Sequence, residues 1–280
     1  MVLTVRPPRV HRYLDPKSWC LGQVLRPVIP IYQLGESPCQ NPSKKVKEYR
    51  ELRNRYALQM ALIYLLRHAE SLANSEGILA GRVTGVHLSD RGRLQSRQLV
   101  KGLAKLDIRK IYSSPLERCL ETISPYSKAV GKRVNFDKNF VEMDYGSWSG
   151  RKLASLRREK LWSRIQKKPS SVRFPEGESF TEMSRRIQIG LNSLSRRHRK
   201  GGVLVVSHGD PIKFAIAATL GLKIDDFQKI VVDPASLTII DWKNRTLIAA
   251  NVPLTEKKAS SKSKKASLRK RRILGGGTNV

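Results

Sequence analysis

"LIYLLRHAESLAN", residues 62–74, runs five apolar residues directly into an arginine and a histidine. An unbroken apolar run without polar alternation suits a strand buried on both faces. Such a strand usually gives way to a turn of Gly, Asn or Asp, yet this one ends in Arg67-His68. A second stretch repeats the pattern: "VLVVS" (203–207) leads into His208-Gly209. In open α/β sheets, ligands bind beyond the carboxyl ends of the strands. Both histidines are therefore expected in one crevice.

The chain around these strands alternates helix and strand signals. Ser89 is a helix N-cap, and Leu94, Leu99 and Leu103 predict that helix's apolar face. "KIYSS" (110–114) reads as a strand, and Pro115 suits the first turn of a helix reaching about Val130. Residues 149–166 and 179–199 have helical patterning, and another helix follows from about Asp210 to Leu220. "SLTIID" (236–241) and "TLIAAN" (246–251) read as closing strands in a hairpin over "WKNR". Continuous apolar strands separated by helices predict a three-layer α/β/α sandwich with a mostly parallel central sheet.

The two ends differ from this middle. Residues 1–43 hold seven prolines and no sustained period, which predicts a flexible or extended arm. Lys44–Gln59 reads as a short charged helix, and Met60, just ahead of the first strong strand, is a candidate true start. The tail "KKASSKSKKASLRKRR" (257–272) has too few apolar residues to pack. The expected organisation is thus a basic Pro-rich arm (1–59), a domain (60–253) and a disordered basic tail (254–280).

The formal net charge is +31 for 280 residues, with a mean hydropathy of -0.40. Residues 1–60 carry 11 Lys/Arg against 4 Asp/Glu, and residues 254–280 carry 9 against 1. Surfaces this basic attract polyanions, so nonspecific polyanion contact through the arms is expected. Cys20, Cys39 and Cys119 form no CxxC and cannot all pair, which excludes a disulfide framework or a zinc motif and favours the cytoplasm. No apolar run reaches the roughly 18 residues of a membrane span, and the N-terminal "VLRPVIPIY" is too broken by proline for a signal peptide.

The strand ends also collect arginines. "SPLERC" places Arg118 in the first helical turn beyond the same edge as Arg67, and "FVEMDYGSWSG" supplies Glu142. Two guanidinium forks and two imidazoles around one point suit a dianionic phosphoryl group, because guanidinium pairs bidentately with its oxygens. A neutral imidazole is a competent nucleophile towards phosphorus, and Glu142 is a reasonable proton donor to the leaving oxygen. No metal is required, since the arginines supply the charge compensation. Arg82, in the loop "AGRVTG", is a possible substrate contact. Trp148 and Trp162 are candidates either for the substrate mouth or for the core.

"LLRHAESLAN" resembles the RHG signature of the histidine phosphatase superfamily, which contains phosphoglycerate mutases and phosphatases. The likeness continues in family order through "LSDRGRLQS", "IYSSPLERCLET", "EMDYGSWSG" and "VVSHGDPIKFAI", and it spans about 61–251. It comes nearest to an actinobacterial group of phosphomutases and phosphatases. The resemblance implies a phosphoglycerate mutase-like fold with His68 as the residue phosphorylated in turnover. It implies Arg67, Asn74, Arg118 and His208, with Gly209 beside it, as phosphate ligands, and Glu142 as general acid and base. Ala69 stands where the family usually has glycine, which costs little if its φ is negative. Only 66 positions separate Glu142 from His208, too few for the mutases' long lid insertion.

The expected protein is therefore a metal-independent phosphatase that acts on a small phosphorylated metabolite through a phosphohistidine. The first alternative is a phosphomutase using the same intermediate, with a bisphosphorylated primer in place of any other cofactor. The second is a polyanion-binding protein with an inactive core. Specificity is expected in loops 75–87 and 149–178.

Overall fold

A computed structural model describes residues 61–254. The arm, its helix over 44–59, Met60, the tail beyond residue 254, Cys20 and Cys39 lie outside the described residues. Strand β1 (Leu62–Arg67) is buried at every position. Its odd and even side chains enter two different cores: Ile63 and Leu65 one, Leu62, Tyr64 and Leu66 the other. This double burial is why the strand reads as continuous rather than alternating.

A four-residue helix α1 (Leu72–Ser75) follows the turn after β1, then α2 (Asp90–Leu103), β2 (Ile108–Ser113), α3 (Glu117–Val130) and the short β3 (Val134–Phe136). Beyond come α4 (Leu153–Leu156), α5 (Lys160–Lys167), α6 (Phe180–Arg197), β4 (Gly202–Ser207), α7 (Gly209–Thr219), β5 (Ser236–Asp241) and β6 (Thr246–Pro253). The sheet order is β3-β2-β4-β1-β5-β6. β1, β2, β3 and β4 pair in parallel, whereas β5 joins β1 and β6 antiparallel. The sheet is mostly parallel, and residues 242–245 close the expected β5–β6 hairpin, with Asp241 Oδ1 accepting from Asn244 N at 3.1 Å.

One face of the sheet packs on α2 and α3 through Leu99, Leu103, Cys119 and Ile123. The other packs on α6 and α7 through Ile187, Leu191, Ile212 and Phe214. These are the two outer layers of an α/β/α sandwich. Among the described residues, no helix is long and apolar enough to cross a membrane.

Several local expectations change. Ser89 does cap α2, accepting from Gly92 N, but Leu94 is 42 % exposed. The buried face runs through Gly92, Ser96, Leu99 and Leu103, because Ser96 Oγ donates to the carbonyls of Glu121 and Thr122 on α3. Pro115 precedes the first turn of α3 rather than joining it; Leu116 is the N-cap. The stretch 149–166 is not one helix. Gly150 sits at φ +80, and the N-caps of α4 and α5, Lys152 and Glu159, make no side-chain cap hydrogen bond. Trp148 is buried and stacks on Trp162 at 6.4 Å between centroids, which places the pair in the core. β3 escaped the sequence reading: it is three residues long, at the sheet edge, and nowhere fully buried.

Candidate active site

Register brings the strand ends level. Arg67 on β1 stands opposite Ser207 on β4, and Ser113 on β2 stands opposite Val206. The ladder continues one step into the turns, with His68 N donating to Ser207 O and Ser114 N to Val206 O, both at 2.9 Å. Three consecutive strands thus deliver His68, His208 and the start of α3 to one edge. The two imidazole centroids lie 5.2 Å apart, inclined at 62°.

His68 is 3 % exposed, and its Nδ1 is 2.7 Å from Ala69 O. A carbonyl only accepts, so Nδ1 carries the hydrogen and Nε2 keeps its lone pair. Burial, helped by the charges of Arg118 and Arg67, holds the imidazole well below its ordinary pKa. His68 is therefore held neutral at neutral pH. Ala69 is not among the described residues at positive φ, so alanine is tolerated here, and its N–H donates to Thr122 Oγ1 at 2.8 Å.

His208 is fully buried, with Nε2 2.8 Å from Ser114 Oγ. Ser114 Oγ also accepts from Leu116 N at 3.4 Å. Burial first, then Arg118, keeps His208 uncharged as well. Gly209 opens α7 directly behind it.

Both arginines are buried by the fold, not by each other. Arg67 Nη1 donates to Val232 O at 2.7 Å, and Arg118 Nη2 donates to Gly81 O at 2.7 Å. Arg118 Nη1 is buried with no hydrogen-bond partner. An unpaired guanidinium nitrogen is costly unless an anion meets it, and a phosphoryl oxygen is the acceptor that matches its geometry. Cys119, next in sequence, has its thiol pushed up to about 12 by burial and is inert at neutral pH.

Glu142 is 5 % exposed, and its Oε1 accepts from Met143 N at 2.9 Å. Burial, then the nearby charge of Asp210, pushes its carboxyl up to about 7, against the pull of Arg118 and Arg67. A carboxyl poised there can give a proton and take one back. Behind it, Tyr145 Oη donates to Asp210 Oδ2 at 2.8 Å, and Lys213 Nζ lies 3.6 Å from Asp210 Oδ1. Among the described residues no three His, Cys, Asp or Glu side chains group as a metal-ligand set.

The remaining predicted residues sit differently. Asn74 Oδ1 accepts from Ser71 N at 3.1 Å and Ser71 Oγ at 3.0 Å, which makes Asn74 the third residue of a capping box. Arg82 gives Nε to Glu142 O at 3.0 Å, Nη1 to Asp144 Oδ2 at 3.3 Å and Nη2 to Glu178 Oε1 at 3.1 Å. Sequence reading missed Ser114, Asp210, Glu178 and Arg186. Ser114 and Asp210 lie inside the quoted blocks, beside Pro115 and His208, and could have been found there. Glu178 and Arg186 carry no such signal.

Known proteins resemble this chain over most of the described residues. The chain is 30 % identical over 198 residues to phosphoserine phosphatase 1 of Hydrogenobacter thermophilus, covering 70 % of this chain and 93 % of that protein. It is 27 % identical to the 2,3-bisphosphoglycerate-dependent phosphoglycerate mutase of Thermoplasma acidophilum, over 70 % of this chain and 96 % of the relative. Among solved structures, Bacillus stearothermophilus YhfR superposes with a TM-score of 0.63 at 25 % identity, covering 70 % of this chain and 98 % of YhfR. The sequence profile described as histidine phosphatase superfamily (branch 1) matches residues 63–252, and the chain belongs to that superfamily.

Proposed function

We propose that the protein is a metal-independent phosphomonoesterase that acts on a small phosphorylated metabolite through a phosphohistidine on His68. The observation that carries this is His68, whose Nδ1 is bonded to Ala69 O and whose Nε2 is left open, on the same sheet edge as buried Arg118, whose Nη1 lacks a partner. In this reading Arg67, Arg118 and His208 grip the phosphoryl group, with Gly209 N–H beside them at the start of α7. Asn74, its Oδ1 committed to the cap, offers its amide hydrogens. His68 Nε2 attacks phosphorus and the P–O ester bond breaks, while Glu142 protonates the departing alkoxide. Glu142 then takes a proton from water as the water attacks phosphohistidine, releasing phosphate. Arg82, with a side chain 35 % exposed, stays a candidate for contact with the rest of the substrate.

The Thermoplasma mutase relative favours a second reading, in which the phosphohistidine returns its phosphate to another hydroxyl after priming by a bisphosphorylated compound. A polyanion-binding protein with an inactive core is the third reading, and the complete constellation speaks against it. A cytoplasmic location, the division at residues 60 and 253 and polyanion contact through the basic ends belong to the same proposal. The cysteine usage and the charge distribution support them.

Purified enzyme screened against phosphorylated metabolites, with and without a bisphosphorylated primer, separates hydrolysis from mutase chemistry. Alkaline or detergent quenching during turnover of labelled substrate should trap a base-stable, acid-labile phosphoenzyme that His68→Ala abolishes together with activity. EDTA should leave the rate unchanged, and vanadate should inhibit by mimicking the five-coordinate phosphoryl group. A His68→Ala enzyme at wild-type rate, or activity lost to EDTA and restored by a divalent ion, would overturn the mechanism.

A further inference from the structure

The loop that carries Glu142 is held through its main chain. Arg186, on the middle of α6, donates Nη1 to Asn139 O at 2.8 Å and to Val141 O at 2.7 Å, and Nη2 to Glu142 O at 3.0 Å. Ser207 Oγ, one residue before His208, takes the intervening Phe140 O at 2.7 Å. Arg82 adds a second guanidinium to Glu142 O. Glu178 ties the two arginines together. Its Oε1 accepts from Arg186 Nη2 at 2.6 Å and from Arg82 Nη2 at 3.1 Å, and its Oε2 accepts from Arg186 Nε at 3.1 Å. Glu178 also brackets Asp144, since Oε1 accepts from Asp144 N and Glu178 N donates to Asp144 O, both at 3.0 Å.

A peptide unit is planar, so fixing its carbonyl fixes its N–H. The Glu142 carbonyl and the Met143 N–H belong to one such plane. Two guanidiniums hold the carbonyl, and the N–H on the other side of the plane holds Glu142 Oε1. Orientation passes from Arg186 and Arg82 through the peptide to the carboxyl group, because both arginines donate to the Glu142 carbonyl rather than to its carboxyl oxygens. Arg186 and Glu178 are well covered, at 17 % and 12 % side-chain exposure, so solvent competes little for these bonds. Close packing supports the arrangement: a Cβ at Gly190, one turn along α6, would lie 2.8 Å from Phe140 Cζ.

We infer that Arg186, braced by Glu178, is a positioning residue that aims the Glu142 carboxyl at the leaving group, acting through the Glu142–Met143 peptide. The inference rests on the reading of Glu142 as the proton donor. Its effect should fall on protonation and spare phosphate capture, because none of the residues bonded to Arg186 is a proposed phosphate ligand. General acid catalysis is worth about 10²–10⁴-fold, and a misaimed carboxyl forfeits part of it.

Full-length Arg186→Met, Arg186→Lys and Glu178→Gln should be compared with Glu142→Gln on an alkyl phosphate and an activated aryl phosphate, with vanadate inhibition measured for each. Arg186→Met should lower kcat on the alkyl phosphate by about tenfold or more and change the aryl rate by less than about threefold. Arg186→Lys, which keeps a donor near the same carbonyls, should recover part of the loss. The vanadate inhibition constant should hold within about twofold, roughly 0.4 kcal/mol at 1.4 kcal/mol per decade. Equal losses on both substrates, or weaker vanadate binding in step with the rate, would overturn the inference. Should Arg186→Met fail to fold, Glu178→Gln decides, with the same selective loss expected and an unchanged ratio fatal. If Glu142→Gln itself shows no leaving-group dependence, the proton-donor reading fails first. If Glu142→Gln shows it and the Arg186 and Glu178 variants do not, the positioning role alone falls.

Discussion

At the scale of single residues, the site works by setting protonation states apart. His68 and His208 are kept neutral by burial and two guanidiniums, whereas burial keeps Glu142 protonated up to about pH 7. An unprotonated imidazole nitrogen beside a protonated carboxyl is what a nucleophile and an acid require. The pH profile follows from the signs. The donor form of Glu142 is present below about pH 7 and lost above it, so kcat/KM on alkyl phosphates should decline as pH rises through that range. The histidines lose their neutral form only well below pH 6.5, on the other limb. Glu142→Gln should erase the limb near 7 and cost alkyl phosphates about 10²-fold or more, with aryl phosphates suffering less. A limb that persists in Glu142→Gln would assign it to another group. Stability should respond too. A carboxyl whose pKa rises on folding stabilises most below its unfolded value, and that contribution is lost as pH rises through about 7. The melting temperature of Glu142→Gln relative to wild type should therefore climb between pH 5 and pH 8.

At the scale of elements, strand ends and helix starts place the chemistry, and their docking can be tested separately from it. α2 approaches the turn after His68 so closely that a Cβ at Gly92 would lie 1.9 Å from Glu70 O. Ser89 Oγ donates to Glu70 Oε1 at 2.8 Å across the same junction. Gly92→Ala should cost about 1–3 kcal/mol through overpacking and lower kcat, because the displaced backbone adjoins His68, the proposed nucleophile. Gly131 caps the far end of α3 at φ +63, and a Cβ there meets nothing within 4 Å. Gly131→Ala should cost about 1–2 kcal/mol by left-handed strain alone and leave kcat unchanged. Thermal melts paired with kcat check both, and a Gly92→Ala enzyme at full rate would detach α2 from the site. These elements also show what a sequence can reveal. β1 and β4 were legible because burial on both faces writes an unbroken apolar run; Arg67, His68 and His208 stood out because each lies at a strand end, and Arg118 because it lies in the first turn of the helix after β2. Leu94 misled because Gly92 and Ser96, small and without apolar signal, form the contact face of α2. The break in 149–166 was hidden because capless helices carry no boundary residue. Arg186 was invisible because it binds carbonyls, which every residue possesses.

At the scale of the whole molecule, the excess charge is distributed in a way that the described domain makes more specific. Between the two ends, residues 61–253 hold 34 Lys/Arg and 18 Asp/Glu, and one segment, 151–173, holds 9 against 1. Within it Lys152, Arg157, Arg158, Lys160, Arg164, Lys167 and Lys168 are exposed on and around α4 and α5. The segment is tied to the loop that holds Arg118: Leu79 N donates to Arg151 O at 2.9 Å, and Arg118 donates to Gly81 O. A basic rim beside an anion-binding crevice raises the encounter rate of anionic substrates and loses that advantage as salt rises. The ends, at 11 Lys/Arg against 4 Asp/Glu and 9 against 1, add charge that the catalytic residues do not need. A chain of residues 60–253 should therefore fold and turn over small substrates as full length does, while binding RNA or DNA far more weakly at low salt. Full-length affinity should fall steeply with salt, because counterion release is the main driving force. Misfolding of the shorter chain would make the ends structural and move the proposed boundaries. Nucleic-acid binding that survives truncation undiminished would transfer the polyanion surface to the domain. Replacing Arg157, Arg158, Lys160 and Lys167 with glutamine would then decide whether 151–173 is that surface.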